Sequence, residues 1–222
     1  MKICVVIPTY NEARTIEALV REVRFFCPDI VVVDDGSTDD TARLAKQAGA
    51  VVLANARNVG KGASLLKGIQ YCLAGQFDAA LFMDGDGQHR PEDIGAFLAA
   101  AVQSQAGIIV GNRMQNNKHM PLVRCLTNQV MSGVISTVCW QHIPDSQCGF
   151  RLVRRNVLES IQLRTVKFEI ESEFLIKAAR KGFLILSVPI QTVYAGEHSH
   201  INPLADTIRF LKFILRELWS SH

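Results

Sequence analysis

Short apolar runs rich in β-branched residues alternate along the chain with longer amphipathic segments. The apolar runs have the length of β-strands and lie at residues 2–9, 30–35, 50–55, 79–84 and 107–113. The segments between them carry apolar residues at helical spacing and lie at residues 12–26, 37–49, 60–75 and 91–103. Repeated strand–helix units with nearly all-apolar strands are typical of a mainly parallel sheet with helices on both faces. The pattern therefore predicts an α/β fold.

Polar residues follow four consecutive predicted strands. The segments after these strands read PTYNE, DDGSTDD, NARNVGKG and DGDGQH, in chain order. In open α/β sheets, ligands bind outside the carboxyl ends of the strands. We therefore expect carboxylates, amides, glycines and a lysine to meet in one crevice.

Two of these segments suggest a nucleotide site. Asp34 and Asp35 end a buried strand, and one of them can accept hydrogen bonds from a nucleobase; the alternative is a turn in which Ser37 or Thr38 caps the next helix. Lys61, in NVGKG, is expected close to phosphate oxygens, unless the segment is only a loop before a helix. It lacks the GxxxxGK[ST] spacing, which disfavours a P-loop ATPase.

The DGDGQH segment suggests a metal site. Asp84 and Asp86 lie one residue apart at a strand end, where they repel each other unless a cation binds or one is protonated. Mg²⁺ is commonly held by one or two carboxylates together with substrate phosphates, and Mn²⁺ also accepts oxygen ligands. Gln88 and His89 are close enough along the chain to assist. The alternative is a solvated Asp-Gly turn before a helix that starts with proline.

Composition narrows the class of protein. The 222 residues, 48% hydrophobic and 20% charged, fit one large domain. The net charge of +3 is spread along the chain, which argues against nucleic acid as a partner. The six cysteines include no CxxC pair, which argues against a zinc site or disulfides and agrees with a reducing cytosol. We expect them to be small buried hydrophobic residues. No window reaches the ~18 apolar residues of a membrane-spanning helix, although the protein can lie on a membrane.

Seven segments carry a resemblance to a known family. They read VVIPTYNE, VVVDDGSTDDT, NVGKG, FMDGDGQHRPED, GNR, DSQCGFRL and FEIESEFL, in that order, within residues 2–190. With them the chain resembles the family 2 glycosyltransferases of the GT-A fold, most of all the branch of dolichyl-phosphate mannose synthase and bacterial polyprenyl-phosphate sugar transferases. The resemblance implies a Rossmann-like single domain at residues 1–200, followed by an amphipathic helical tail at 201–222.

The resemblance assigns roles on the donor side. It implies that a nucleotide-diphosphate sugar is bound by Pro8, Tyr10, Glu12, Asp34, Asp35, Gly36, Lys61 and Asp84. Asp35 matches the aspartate that reads the base. Asp84 and Asp86 match the metal-binding DxD, and in this branch Asp86 and Gln88 are the important contacts to Mg²⁺ or Mn²⁺. Arg113, in GNR, matches an arginine near the phosphates.

Further roles follow around the acceptor and the donor sugar. Asp145, Gly149 and Arg151, in DSQCGFR, match a motif on the acceptor side, and Glu171 matches a glutamate near the donor sugar. The predicted catalytic residues are Asp86, Arg113, Asp145, Arg151 and Glu171. An alternative role for Arg151 is a structural salt bridge with Asp145. Glu169 and Glu173 are expected to be surface charges or helix-start residues favoured by the helix dipole.

The resemblance implies an inverting displacement, with a GDP- or UDP-linked sugar as donor and a polyprenyl or dolichyl phosphate as acceptor. An ionised lipid phosphate needs no general base, whereas a saccharide hydroxyl would need one, for which Asp145 is the candidate. A nucleotidyltransferase is disfavoured because no glycine-rich basic loop follows CVVIP. A noncatalytic nucleotide-sugar-binding module is disfavoured by DSQCGFRL.

Two further segments bear on the acceptor. Residues 120–140 carry a helical apolar stripe; the alternative is an ordinary core helix. Arg124 and Asn128 have the spacing of the arginine and serine that handle the lipid phosphate in the resembled branch, with asparagine in place of the serine. Residues 202–222 mix apolar and basic residues, so this tail can lie on a membrane surface, on the domain, on a second copy or on a separate membrane protein. The expected location is cytoplasmic, with attachment to the inner face of the membrane as an option.

Overall fold

The computed structural model describes residues 1–116, 120–165 and 169–193, together with residues 210, 213 and 214. Within these ranges the strands are β1 (Ile3–Thr9), β2 (Ile30–Asp34), β3 (Val51–Ala54), β4 (Ala79–Phe82), β5 (Ile108–Asn112), β6 (Arg151–Arg154) and β7 (Ile185–Pro189). The α-helices are α1 (Ile16–Val23), α2 (Thr41–Gln47), α3 (Lys61–Ala74), α4 (Ile94–Gln103), α5 (Leu122–Cys139), α6 (Arg155–Ser160) and α7 (Ile170–Arg180).

The predicted α/β architecture is confirmed, with shifted element ends. The first helix begins later than predicted because the backbone amides of Thr15 and Ile16 first form a turn on the carbonyl of Glu12. The predicted cover on both faces of the sheet is incomplete at β3, where Val51 and Ala54 are exposed. β3 forms one edge of the sheet, where only one neighbouring strand covers it.

One antiparallel strand interrupts the parallel sheet. The strand order is β3-β2-β1-β4-β6-β5-β7, and β6 runs antiparallel to both β4 and β5. Because β6 runs in the opposite direction, its first residue, Arg151, pairs with Phe82 at the end of β4. The loop that precedes β6 therefore lies at the same edge of the sheet as the loop that follows β4.

The centre of the sheet is covered on both faces. All seven residues of β1 are buried, although successive side chains point to opposite faces. Helix α3 packs closely on this strand, because Gly68 leaves no side chain between helix and sheet: a Cβ there would lie 2.3 Å from Cγ1 of Val6.

Two predictions concern features other than the sheet. All six cysteines are free thiols; Cys125 is half-buried and the other five are buried, as expected for small hydrophobes.

The predicted domain boundary at residue 200 lies outside the described residues, and so does the tail at 201–222 apart from residues 210, 213 and 214. In the described part of the chain, no helix is both long and apolar enough to cross a membrane.

The close approach of α3 to β1 can be tested by substitution. Gly68→Ala should lower the free energy of unfolding by about 1–3 kcal/mol, because the new methyl group overlaps Val6. Gly95→Ala, in α4, meets no atom within 4 Å and should instead raise it by about 0.5–1 kcal/mol. Urea unfolding of both variants measures this difference, and equal effects would contradict the packing described.

Candidate active site

Four side chains of alternating charge lie in contact at the carboxyl edge of the sheet. The Nζ atom of Lys61, the first residue of α3, lies 2.6 Å from Oδ1 of Asp84 and 3.0 Å from Oε1 of Glu171. The other carboxylate oxygen of Glu171 lies 2.6 Å from Nη2 of Arg151. Four segments far apart in sequence thus place two cations and two anions in direct contact.

The surrounding charges favour the ionised forms of Lys61 and Asp84. Burial alone would raise the pKa of Asp84, but the Lys61 ammonium outweighs it and lowers that pKa to about 2. Burial alone would lower the pKa of Lys61, but Asp84 and Glu171 raise it. The Lys61 and Asp84 side chains are 22% and 27% exposed, so a ligand can reach both.

Gly149 makes this arrangement possible. A Cβ at position 149 would lie 2.7 Å from Oδ2 of Asp84 and 3.0 Å from Nζ of Lys61. Any larger residue would therefore separate the two charges, which gives the glycine of DSQCGFR a steric function.

The DGDG loop is held in place on its buried side. Oδ1 of Asp86 accepts a hydrogen bond of 2.9 Å from the backbone amide of Gln88. The backbone amide of Asp84 donates to Nδ1 of His89 at 3.4 Å, and the His89 ring stacks on Phe150 at 5.0 Å. Burial lowers the pKa of His89 to about 4, so the imidazole is neutral at physiological pH. His89 thus supports the loop from the buried side, through its contacts with Asp84 and Phe150. The sequence had suggested that it assists the metal or the phosphates.

The donor set of this loop fits a hard divalent cation. Asp84, Asp86 and Gln88 offer only oxygen ligands from their side-chain acceptors, which suit Mg²⁺ and Mn²⁺. Within the described ranges, no three histidine, cysteine or acidic side chains lie together as a complete metal site. A cation bound here would therefore complete its coordination with substrate phosphates and water.

Asp145 and Arg113 form a second, fully buried ion pair. Oδ2 of Asp145 accepts hydrogen bonds from the backbone amide of Arg113 at 3.0 Å and from its Nε at 2.7 Å, while Oδ1 accepts from Nη2 at 2.9 Å. Burial alone would raise the pKa of Asp145, but Arg113 lowers it. The expected alternative of an Arg151–Asp145 salt bridge is wrong, because Arg151 binds Glu171 and the carbonyl of Cys148.

The burial of Asp145 argues against its candidacy as a general base. Its side chain has no solvent exposure, and four N–H groups from Arg113 and Asn128 point at its carboxylate. A general base must come within hydrogen-bonding distance of the hydroxyl that it deprotonates. Asp145 is instead placed to hold Arg113.

Asn128 already has protein partners at both ends of its amide. It is buried, its Nδ2 donates to Oδ1 of Asp145 at 2.8 Å, and its Oδ1 accepts from Oγ of Ser132 at 2.9 Å. These contacts give Asn128 a structural role, and its contact with an acceptor phosphate remains a prediction. Arg124, one turn earlier on α5, is half-buried.

The first half of α5 exposes an apolar face. Its exposed apolar residues are Leu122, Val123, Leu126 and Val130, each at least 60% exposed. Ile135 and Cys139, in the second half, are buried. The alternative of an ordinary core helix is therefore wrong for the first half of α5.

The predicted nucleotide residues lie at the ends of β1 and β2. Pro8 is buried within β1, while the Tyr10 side chain is exposed. The backbone amide of Glu12 donates to Oγ1 of Thr41 at 2.8 Å. Asp34 accepts from the backbone amide and the hydroxyl of Ser37, so the turn of the alternative is present. The cap by Ser37 or Thr38 is wrong, because α2 begins only at Thr41, after Asp40.

Asp35 organises the loop that presents Lys61. Its carboxylate accepts hydrogen bonds from Nδ2 of Asn55 at 2.8 Å, the amide of Val59 at 3.0 Å and the amide of Gly60 at 2.8 Å. Gly36 has a φ of 75°, and a Cβ there would lie 2.6 Å from the carbonyl carbon of Arg57. Base recognition by Asp35 remains a prediction, and its contacts to residues 55–60 add a positioning role.

Glu173 has a structural role that the sequence did not indicate. The expectation of a helix-start residue is confirmed, because Glu173 lies in the first turn of α7, whereas the surface alternative is wrong, because Glu173 is buried. Its carboxylate accepts hydrogen bonds from the backbone amides of Arg164 and Thr165 and forms an ion pair with Lys177. Only the i,i+4 spacing to Lys177 was visible in the sequence.

The Arg113–Asp145 pair predicts a specific pH dependence of stability. Arg113→Met should lower the free energy of unfolding by about 3–5 kcal/mol at pH 7, because it leaves a buried carboxylate without its cation. Arg113 lowers the pKa of Asp145 in the folded wild type. The contribution of the ion pair to the free energy of unfolding is therefore fully present above the ordinary aspartate pKa of 3.8, and it is lost as the pH falls through the lower pKa of the folded state.

In Arg113→Met, burial should raise the pKa of Asp145, so the carboxylate takes up a proton as the pH falls. The difference in the free energy of unfolding between this variant and the wild type should therefore shrink from pH 7 to pH values near ~4. Arg43→Met, which removes the exposed partner of Asp40, is the matched control and should change little. Denaturant unfolding at several pH values measures both, and a penalty independent of pH would contradict this description.

The fold agrees with a solved structure that holds a nucleotide and a metal. Glucosyl-3-phosphoglycerate synthase from Mycobacterium tuberculosis, in complex with Mn²⁺, UDP and glucosyl-3-phosphoglycerate, matches with a TM-score of 0.75 and 19% identity, over 99% of this chain and 79% of that chain. Another structure of that synthase contains Mg²⁺ and UDP. The likeness confirms the GT-A fold.

Sequence comparisons identify the family. UDP-N-acetylglucosamine–dolichyl-phosphate N-acetylglucosaminyltransferase of Methanococcus voltae is 30% identical over 215 residues, 86% of this chain and 86% of that protein. Polyprenol monophosphomannose synthase of Mycolicibacterium smegmatis is 32% identical over 202 residues, 84% of this chain and 75% of that protein. These relatives confirm the resemblance to the lipid-phosphate branch. The family model for glycosyl transferase family 2 matches residues 4–162, and the chain belongs to this family of glycosyltransferases.

Proposed function

We propose that this glycosyltransferase moves a sugar, with inversion, from a GDP- or UDP-linked donor to a polyprenyl or dolichyl phosphate. The observation that carries the proposal is the position of α5. Its first half exposes four large apolar side chains, while Asn128 on its opposite side binds Asp145 beside the charged site. Helix α5 therefore lies between the charged site and an exposed apolar surface that would accommodate the lipid carrier.

The donor would lie along the carboxyl ends of β1, β2 and β4. Tyr10 and Asp35 are proposed near the base, with Lys61 and Arg113 near the diphosphate. Charge-assisted hydrogen bonds from lysine and arginine are strong contacts for phosphate oxygens. Glu171 lies 3.0 Å from Lys61, which agrees with a place near the donor sugar.

Asp84, Asp86 and Gln88 would hold the divalent cation. When bound, Mg²⁺ or Mn²⁺ would neutralise the charge of the departing nucleotide diphosphate. Lys61 already neutralises Asp84 in this structure, so its ammonium is placed to share the same phosphates.

The acceptor chemistry favours a phosphate over a hydroxyl. A lipid phosphate is already ionised near neutral pH and attacks without a general base. A saccharide hydroxyl needs a base, and Asp145, the candidate, is fully buried and bound by four N–H groups. The names of the two relatives, which refer to transfer to dolichyl phosphate and to synthesis of polyprenol monophosphomannose, support the same acceptor class.

The exposed face of α5 also suggests where the enzyme works. Leu122, Leu126 and Val130 lie on one side of the helix and would contact the membrane that contains the lipid carrier. Association with the cytoplasmic face of that membrane, where nucleotide sugars are present, is part of the proposal.

The proposed metal site predicts a strong effect of removing one charge. Asp86→Asn should reduce turnover at least roughly 100-fold with the fold intact, because even the outer partners of metal ligands are worth 10–100-fold. Excess EDTA should abolish turnover, and Mg²⁺ or Mn²⁺ should restore it. Glu159→Gln, an exposed charge deletion on α6, is the control. Full turnover in EDTA or an unchanged turnover number in Asp86→Asn would contradict the metal role.

The proposed acceptor site predicts a selective effect at Arg124. Arg124→Ala should raise the KM for polyprenyl phosphate roughly tenfold or more, because a charge-assisted hydrogen bond to the phosphate is lost. Donor binding, measured by calorimetry, should not change. Arg21→Ala, on the exposed face of α1, is the matched control. A different outcome would be an enzyme that transfers the sugar to a free saccharide and loses this activity in Asp145→Asn. That outcome would assign the enzyme to the hydroxyl-acceptor branch.

A further inference from the structure

A buried polar network joins α5 to the loop before β6. From α5, Asn128 donates to Asp145 at 2.8 Å, and Oγ of Ser132 donates to Oδ1 of Asn128 at 2.9 Å. The backbone amide of Ser146 donates to Oγ of Ser132 at 2.9 Å. All four side chains are buried, so each hydrogen bond is shielded from competing water.

The network ends on Arg113. Asp145 receives three N–H groups from Arg113, one from the backbone and two from the guanidinium. The fourth donor to this carboxylate is Nδ2 of Asn128. Asn128 therefore restrains the carboxylate that orients the Arg113 guanidinium.

A second branch of the network reaches α7. Nε2 of Gln147 donates to Oγ of Ser146 at 2.9 Å and to Oγ of Ser172 at 3.4 Å. Ser172 directly follows Glu171, the partner of Lys61 and Arg151. The hydrogen bonds thus connect the helix that carries Arg124 to the Arg113–Asp145 pair and to the residue that follows Glu171.

We propose that Asn128 is a positioning residue, which orients Arg113 through Asp145 and so couples the acceptor-side helix to the donor phosphates. This inference rests on the proposed function, because Arg113 is assigned to the donor phosphates there. A residue that acts in this way should influence turnover more than acceptor affinity, since it does not touch the acceptor.

The first test separates turnover from affinity. Asn128→Ala should lower kcat roughly tenfold through the loss of a charge-assisted hydrogen bond, with the KM for polyprenyl phosphate within about twofold of wild type. Gln129→Ala, which truncates the exposed neighbouring amide, should leave both constants unchanged. A raised KM with an unchanged kcat would overturn the proposal, because it indicates direct contact with the acceptor.

A double-mutant cycle tests whether the effect passes through Arg113. In an Arg113→Lys background, Asn128→Ala should reduce kcat by less than about twofold, because the orientation it maintains is already lost. If kcat of the double variant instead falls by the product of the two single reductions, the two residues act independently and the proposal is overturned.

A measurement without substrate keeps the test independent of the proposed acceptor. In ¹⁵N-arginine-labelled protein, the Nε–H signal of Arg113, assigned by its absence in Arg113→Lys, should shift or broaden in Asn128→Ala. Ser132→Ala, which keeps the hydrogen bond from Asn128 to Asp145 but removes the hydroxyl that contacts Asn128 and Ser146, should produce a smaller change and serves if Asn128→Ala does not fold. An unchanged Arg113 signal would overturn the positioning role. A wild-type enzyme that ignores polyprenyl phosphate would contradict the proposed function while leaving this signal interpretable.

Discussion

The contact of the Lys61 ammonium with Asp84 and Glu171 is the interaction on which the site depends. The two carboxylates come from the loop after β4 and the first turn of α7, and without a cation between them they would repel each other. Several other features serve this contact. Asp35 fixes the loop that delivers Lys61, and Gly149 leaves the space that the charges occupy.

The antiparallel strand β6 explains why the residues proposed for the donor and for the acceptor meet. A parallel strand in its place would begin at the opposite edge of the sheet, far from the DGDG loop. Because β6 is reversed, the segment from Asp145 to Gly149 enters the sheet beside β4, and Arg151 reaches Glu171. The same reversal brings Asp145 within reach of Arg113 at the end of β5 and of Asn128 on α5.

Much of the fold and part of the site could be predicted from the sequence. Apolar periodicity identified the strand–helix units, and the paired aspartates marked the loop after β4, because both signals are local. Periodicity could not show that β3 is an edge strand or that only the second half of α5 is covered, since both depend on neighbours distant in sequence. The partners of Arg113 and Arg151 were equally inaccessible, because the choice among nearby carboxylates follows from the direction of β6. Asn128 matched a family position, yet its burial against Asp145 gives it a different environment.

The most direct test of the central claim is sugar transfer itself, measured with a panel of labelled GDP- and UDP-sugars in the presence of Mg²⁺ or Mn²⁺. Polyprenyl phosphate and free saccharides are offered as acceptors in parallel reactions. The account predicts that label from one donor appears in a polyprenyl-phosphate sugar, and that no labelled product forms when the lipid phosphate is omitted. Transfer to a saccharide hydroxyl, with polyprenyl phosphate inert, would contradict it.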